Sequence, residues 1–147
     1  METFFEKFRV YFEDTDAGGI VYYANYLKFC ERCRTDWLRA MGFSQNKLLE
    51  DKLGFVIKSI KGNYISSAKL DDELKVSCIP VKARFASLKI YQQIFNQNDE
   101  LLFEFECSIA FVDLAKHKPV SMPKEALEYA AKFIPENTDS YTVNIKG

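Results

Sequence analysis

Three observations predict an α+β fold in which an antiparallel sheet of about five strands packs on one long helix. A short alternating segment near the start is followed by a single long stretch with helical periodicity. Four apolar runs then follow, with no second long helical pattern between them. They are joined mostly by short connections, the order expected of an antiparallel sheet covering a helix rather than of repeated βαβ units.

Taken in order, residues 8–13 place Phe8, Val10 and Phe12 on one face and Arg9, Tyr11 and Glu13 on the other, predicting a half-buried strand. After Gly18-Gly19 the period changes. Tyr26, Cys30, Cys33, Trp37 and Met41 recur at helical spacing, opposite Lys28, Arg32, Thr35 and Arg39. Asn25 is placed to cap this helix and Gly42 to end it, which makes an element about 24 Å long. Strands are predicted at 55–65, 73–83, 87–96 and 101–112. In the last of them Phe103, Phe105, Cys107, Ile109 and Phe111 alternate with Glu104, Glu106, Ser108 and Ala110. Asn96 to Glu100 reads as a hairpin turn, and Pro80 requires its strand to be bulged or at an edge. Ser121 and Pro123 open a short last helix, with Glu125 and Glu128 early and Lys132 late, as the helix dipole favours; Pro135 stops it. The folded domain is therefore 1–135, and 136–147 is a polar tail expected to be mobile.

A chain of 147 residues with 48% hydrophobic and 28% charged residues is one domain with room for a real core. A net charge of −1 gives no general attraction to nucleic acid or anionic membrane. No apolar run approaches the ~18 residues of a membrane span, and Met1 to Lys7 carries acidic residues without the apolar core of a secretory signal. A cytoplasmic location is expected, with the four cysteines reduced. The 13 Phe and 8 Tyr point to an aromatic-rich sheet face. One sheet on one helix leaves a strand edge to cover, so a homo-oligomer, dimer or tetramer, is expected.

Chemistry is concentrated between Glu13 and Tyr26, in Glu13-Asp14-Thr15-Asp16-Ala17-Gly18-Gly19-Ile20-Val21-Tyr22-Tyr23-Ala24-Asn25-Tyr26. A carboxylate at a strand end can act as nucleophile or general base, and the N–H groups of the following helix start can stabilise an oxyanion without a metal. Asp14 and Asp16 are two apart, so on an extended segment they point the same way, an arrangement in which like charges can shift a pKa. The alternative is that both cap the loop or the helix start, since Asp favours turns. Asp14, Asp16 and Gly19 match three positions of a calcium loop, but Gly18 and Asn25 stand where a side-chain ligand and the bidentate Glu are needed, which excludes calcium. Cys30 and Cys33 fall inside the amphipathic helix with no second pair, and read as core thiols rather than a zinc or redox site. His117, the only histidine, sits in a basic loop without a nucleophile-elbow motif. Neither metal nor separate cofactor is expected.

The run Asp14-Thr15-Asp16-Ala17-Gly18-Gly19-Ile20-Val21-Tyr22-Tyr23, followed by Asn25-Tyr26, Glu31-Arg32-Cys33-Arg34-Thr35, Ala68-Lys69-Leu70-Asp71-Asp72 and Lys116-His117-Lys118-Pro119, resembles the hotdog-fold acyl-CoA thioesterases of the YbgC and 4-hydroxybenzoyl-CoA thioesterase group. The resemblance spans residues 6–133. It implies a sheet wrapped around the long helix, hydrolysis of acyl-CoA to free acid and CoA, a place in lipid metabolism, and a site between two subunits. CoA is then part of the substrate rather than a cofactor. Asp16 matches the catalytic aspartate, and the Tyr23 backbone N–H matches the donor that polarises the thioester carbonyl. YbgC-type members commonly have histidine where Tyr23 stands, whereas tyrosine is found in the 4-hydroxybenzoyl-CoA branch; a backbone donor survives that change. The substrate contacts implied are Gly18, Gly19, Tyr22 and Asn25, with Lys82, Arg84, Lys116 and Lys118 on the CoA phosphates. The acyl group is expected in an apolar channel beside the helix, favouring medium or long chains.

Two rival readings are a non-catalytic module binding acyl-CoA or acyl-carrier protein, and an acyl-thioester dehydratase. A carboxylate aimed into an acyl cleft is costly in a mere binder. The motif lacks the histidine that a dehydratase uses.

Overall fold

The computed structural model describes residues 3–144. Strand β1 (Phe4–Arg9) leads through a 3-10 turn (Phe12–Asp14) to helix α1 (Asn25–Ala40) and a short helix α2 (Gln45–Glu50). Four long strands follow, β2 (Leu53–Tyr64), β3 (Glu73–Arg84), β4 (Ser87–Phe95) and β5 (Leu101–Asp113), then the two-residue β6 (Lys118–Pro119) and helix α3 (Lys124–Ala131). All pairings are antiparallel, in the order β1-β3-β4-β5-β2, with β6 beside the end of β5. The expected α+β hotdog architecture is what forms. The apolar stripe of α1 supplies Tyr26, Phe29, Cys30, Cys33 and Trp37 to one core with Leu74, Val76, Ile90, Phe103 and Phe105 of the sheet. Burial raises the thiols of Cys30 and Cys78 and takes that of Cys107 up to about 11, so they behave as inert core groups.

The sheet follows the sequence pattern closely because alternation specifies which face is buried. Pro80 sits in β3 two residues beyond Cys78, where the described pairing with β1 stops, and the register with β4 shifts between Pro80 and Lys82; among the described residues the strand is both bulged and unpaired on its β1 side there, so no ladder donor is missed. In the β4–β5 turn the Asn96 side-chain oxygen accepts the N–H groups of Asn98 and Glu100, each at 3.0 Å, and Asp99 has φ 59°.

Four expectations are corrected. The first strand is Phe4–Arg9 rather than 8–13: Val10 bonds Asp72 and Asp71 through its N–H and carbonyl, and the chain then turns away, leaving Phe12 82% exposed. Asn25 does not cap α1 with its side chain; Ala24 holds the cap position, and the Asn25 amide is used elsewhere. Helix α2 has no counterpart among the expected elements, since six residues are too few to display a period. The tail is not loose over its described part. Val143 is buried with Ile79 and Tyr91 on the outer sheet face, and the Tyr141 ring lies 5.8 Å from that of Tyr91.

A buried carboxylate anchors that tail. Glu106 Oε1 accepts the Thr142 hydroxyl at 2.8 Å and the Val143 N–H at 3.3 Å, while Lys89 and Lys61 lie 3.6 and 4.0 Å from Oε2. Burial pushes the Glu106 pKa up, but the two hydrogen bonds and the two cations outweigh it, and the net shift is downward from 4.5. A carboxylate lowered in the folded state contributes stability that is complete above its ordinary pKa and is lost as pH falls through the lowered value. The tail should therefore be docked at neutral pH and become protease-sensitive on acidification below 4.5. Glu106→Gln should expose residues 138–144 to proteolysis already at pH ~7; equal protection in both proteins across that range would contradict the anchor.

Candidate active site

The segment between β1 and α1 closes by backbone hydrogen bonds. Thr15 pairs with Val21, Ile20 pairs with Lys69, and the Val21 N–H reaches the Ala68 carbonyl at 2.8 Å. Within the loop the Asp16 N–H bonds Ile20 O at 2.9 Å and the Gly19 N–H bonds Asp16 O at 3.1 Å. Gly19 has φ +79°, a left-handed conformation that a side chain would strain. The Gly18 N–H donates to Asp16 Oδ1 at 2.8 Å. A Cβ on Gly18 would stand 3.3 Å from that oxygen, so the glycine pair is what lets the loop wrap the carboxylate so tightly.

Asp14 and Asp16 are not a same-facing pair. The 3-10 turn rotates Asp14 inward to 8% exposure, where its Oδ2 accepts the Tyr11 N–H at 2.8 Å, whereas Asp16 remains exposed. The extended geometry assumed for the two carboxylates is broken by that turn. Asp14 also shapes the helix start: its carbonyl accepts the Tyr22 N–H at 3.0 Å and the Asn25 amide at 2.9 Å. The Asn25 N–H in turn bonds Tyr22 O at 2.8 Å. Among the described residues the Tyr23 N–H has no acceptor. It is one of the unpaired donors a helix start leaves over.

Around these groups stands an aromatic wall. Tyr22 and Tyr23 ring centroids are 4.8 Å apart, Tyr64 meets Tyr23 and Tyr26 edge-on at 6.4 and 5.3 Å, and Phe103 backs Tyr26 at 5.2 Å. The buried Tyr26 hydroxyl accepts the Ala68 N–H at 3.0 Å. Burial raises its pKa, the Ala68 N–H opposes the rise, and the charges of Asp72 and Asp16 add to it, so Asp16 acts electrostatically on this phenol.

The fold gathers Asp16, Gly18, Gly19, Tyr22, Tyr23 and Asn25 but separates the four basic residues from them. Asp72 and Glu73 lie beside the Val10 end of β1, whereas Lys82 and Arg84 are at the other end of β3, about 30 Å away at the rise of a strand. There they border a shallow hollow with Ser87 and Lys89. Lys116 and Lys118 lie past the Asp113 end of β5, while the Leu102 end of β5 is the one beside Ile65 and Ser66 near the site. A cavity of about 380 Å³ bordered by Phe43, Leu48, Leu53, Phe111 and Val120 also lies at the far, C-terminal end of α1.

Two groups escaped sequence reasoning. Tyr64 closes an apolar run, and nothing in its period shows that its ring crosses to the helix start. Arg34 was read only as part of a motif, yet it is buried, donates to Gln92 Oε1 at 3.0 Å and packs over the Phe105 ring. Among the described residues no three His, Cys, Asp or Glu side chains converge as metal ligands, and no helix is long and apolar enough to cross a membrane.

This arrangement can be set beside known proteins. A family model described as thioesterase-like superfamily matches residues 10–129. The chain is 46% identical over 118 residues to the acyl-CoA thioesterase YbgC of Haemophilus influenzae, covering 80% of this chain and 86% of that protein. It is 38% identical over 125 residues to the acyl-CoA thioesterase YbgC of Helicobacter pylori, covering 79% and 91%. Among solved structures, a 1,4-dihydroxy-2-naphthoyl-CoA thioesterase from Synechocystis superposes with TM-score 0.81 at 20% identity, covering 88% of this chain and 96% of that one. A Staphylococcus aureus protein solved in complex with CoA gives TM-score 0.88 at 15% identity, covering 99% and 95%. Those two likenesses concern the fold.

Proposed function

The chain belongs to the thioesterase-like superfamily, and from that premise we propose that it is an acyl-CoA thioesterase of YbgC type in which Asp16 supplies the reacting carboxylate and the Tyr23 N–H holds the thioester oxygen. The observation that carries this reading is the pairing of an exposed carboxylate, braced through one oxygen by Gly18, with an unpaired N–H at the start of α1. Asp16 Oδ1 is engaged by that brace, which leaves Oδ2 for chemistry.

Oδ2 can attack the thioester carbon directly. The C–S bond then breaks, CoA leaves as thiolate and takes a proton from water, and water hydrolyses the mixed anhydride. Alternatively Oδ2 takes a proton from water, whose oxygen bonds to the carbon while the same C–S bond breaks. Both routes place negative charge on the carbonyl oxygen, and both use the donor at the helix start. Gly18 and Gly19 leave the approach free of side chains, while Tyr22 lends an aromatic wall and Asn25 secures the donor turn.

A homo-oligomer completes the site in this reading. Strand β2 is a free edge carrying Val56, Ile57, Ile60 and Tyr64, which are 39–53% exposed. Antiparallel pairing of β2 with its copy sets the Leu53 end of one chain beside the Tyr64 end of the other. The partner's apolar cavity and its Lys116 and Lys118 then approach Asp16, from which they are separated within one chain. The cavity is in the size range of small-molecule sites, about 300–1,000 Å³, and suits an acyl chain of medium or greater length. Lys82 and Arg84 are assigned to CoA phosphates as well. In this reading the protein acts in the cytoplasm on acyl-CoA, with acyl-carrier protein as the alternative acyl donor.

Thiol release from a panel of acyl-CoAs and one acyl-carrier-protein thioester, after dialysis against a chelator, tests the proposal. Hydrolysis of acyl-CoAs should persist without added metal. No release above the uncatalysed rate, or release only after zinc or magnesium is returned, defeats it.

A further inference from the structure

We infer that Tyr64 is a positioning residue for the thioester-oxygen donor, acting through the Tyr23 carbonyl. Its hydroxyl, carried on β2, donates to Tyr23 O at 2.8 Å across 41 positions of sequence. This role rests on the proposed function of the Tyr23 N–H and adds to it the means by which that donor is aimed.

A trans peptide is planar, so its C=O and N–H point in opposite directions and fixing one fixes the other. Tyr23 lies between two such planes. The carbonyl of the first, Tyr22 O, is held by the Asn25 N–H at 2.8 Å. That bond orients the N–H on the other side of the plane, which is the unpaired Tyr23 donor. The carbonyl of the second plane, Tyr23 O, is held among the described residues only by Tyr64. With both oxygens pinned, the two backbone torsions of Tyr23 have little freedom, and its N–H stays in place before substrate arrives. A donor fixed in advance is what stabilises a developing oxyanion, because no reorganisation is needed when the charge appears. Without the Tyr64 hydroxyl, the second plane can rock.

The ring of Tyr64 is held independently of its hydroxyl. It packs at a tilt against Phe103, centroids 4.9 Å apart, and meets Tyr26 and Tyr23 edge-on. Burial raises its pKa, with the Tyr26 and Tyr23 phenols adding to the rise, so it remains a neutral donor at physiological pH. Tyr64 is also 53% exposed, and removing the oxygen alone leaves the packing in place and does not threaten the fold.

The test is Tyr64→Phe in the full-length protein, read by steady-state kinetics and by binding of two inert CoA analogues. One is an amide in which NH replaces the thioester sulfur and the carbonyl stays in place; the other is a thioether in which CH2 replaces the carbonyl. We expect kcat to fall about tenfold, the size of one hydrogen bond's contribution, with KM little changed. Affinity for the amide should weaken while affinity for the thioether is unchanged. A merely structural tyrosine would weaken both analogues equally, and that outcome, or an unaltered kcat, overturns the inference. Asp16→Asn measured alongside separates the two levels. If it is inactive while Tyr64→Phe is normal, only the positioning role fails. If it is fully active, the underlying reading of the site fails.

Discussion

Replacing Asp16 with asparagine should reduce kcat at least ~100-fold, the lower end of what a positioned base contributes, while the fold and assembly persist. Asparagine retains an oxygen for the Gly18 N–H, so the loop can keep its shape. What is lost is the anionic oxygen proposed to attack carbon or to take a proton from water. Two controls sharpen the result. Asp14→Asn should cost stability more than turnover, on the order of 1 kcal/mol, because Asp14 is engaged with the Tyr11 N–H rather than facing substrate. Tyr23→Phe should change turnover little, since the donor assigned to Tyr23 belongs to the backbone. Steady-state thiol release on the three purified variants, with circular dichroism to verify folding, measures all of this; near-normal turnover in Asp16→Asn would remove the enzymatic proposal.

Placing lysines at Ile57 and Ile60 should dissociate the assembly and abolish most of the activity. Both residues are half exposed on the free edge of the sheet, and their partners on β5, Ile109 and Cys107, belong to the core face. An edge strand bearing charge resists pairing, because joining the strands would bury cations without partners. In the proposed shared site, loss of the second copy removes its cavity and its Lys116–Lys118 hairpin from beside Asp16. Sedimentation equilibrium and thiol release at matched concentrations should fall together. A variant that is monomeric yet fully active would show that one chain suffices and would refute the shared site.

The order of elements, the long helix and the sheet were legible because their signals are local and periodic. Phe103, Phe105, Cys107, Ile109 and Phe111 show their common face at a glance, and the α1 stripe from Tyr26 to Trp37 does so at a different period. The 3-10 turn was not legible, since Phe12 continues an alternation that the Asp14 carboxylate interrupts by accepting the Tyr11 N–H. The docked tail was equally hidden. Thr142 and Val143 look like solvated chain, and only a buried Glu106 more than thirty positions away gives them a partner.

For the site, the sequence by itself determined which local chemistry is available: a carboxylate at Asp16, a glycine pair that leaves it room, and a helix start at Asn25 with backbone donors to spare. Tertiary structure alone decided how those groups are aimed and what accompanies them. It turned Asp14 inward, brought Tyr64 across to the Tyr23 carbonyl, and sent Lys82, Arg84, Lys116 and Lys118 to the far end of the sheet. The physical reason is that torsions and periodicity act over a few residues, whereas strand pairing joins residues dozens of positions apart. Which end of a strand lies beside the helix start depends on register and strand order, and those are selected by the packing of the whole core.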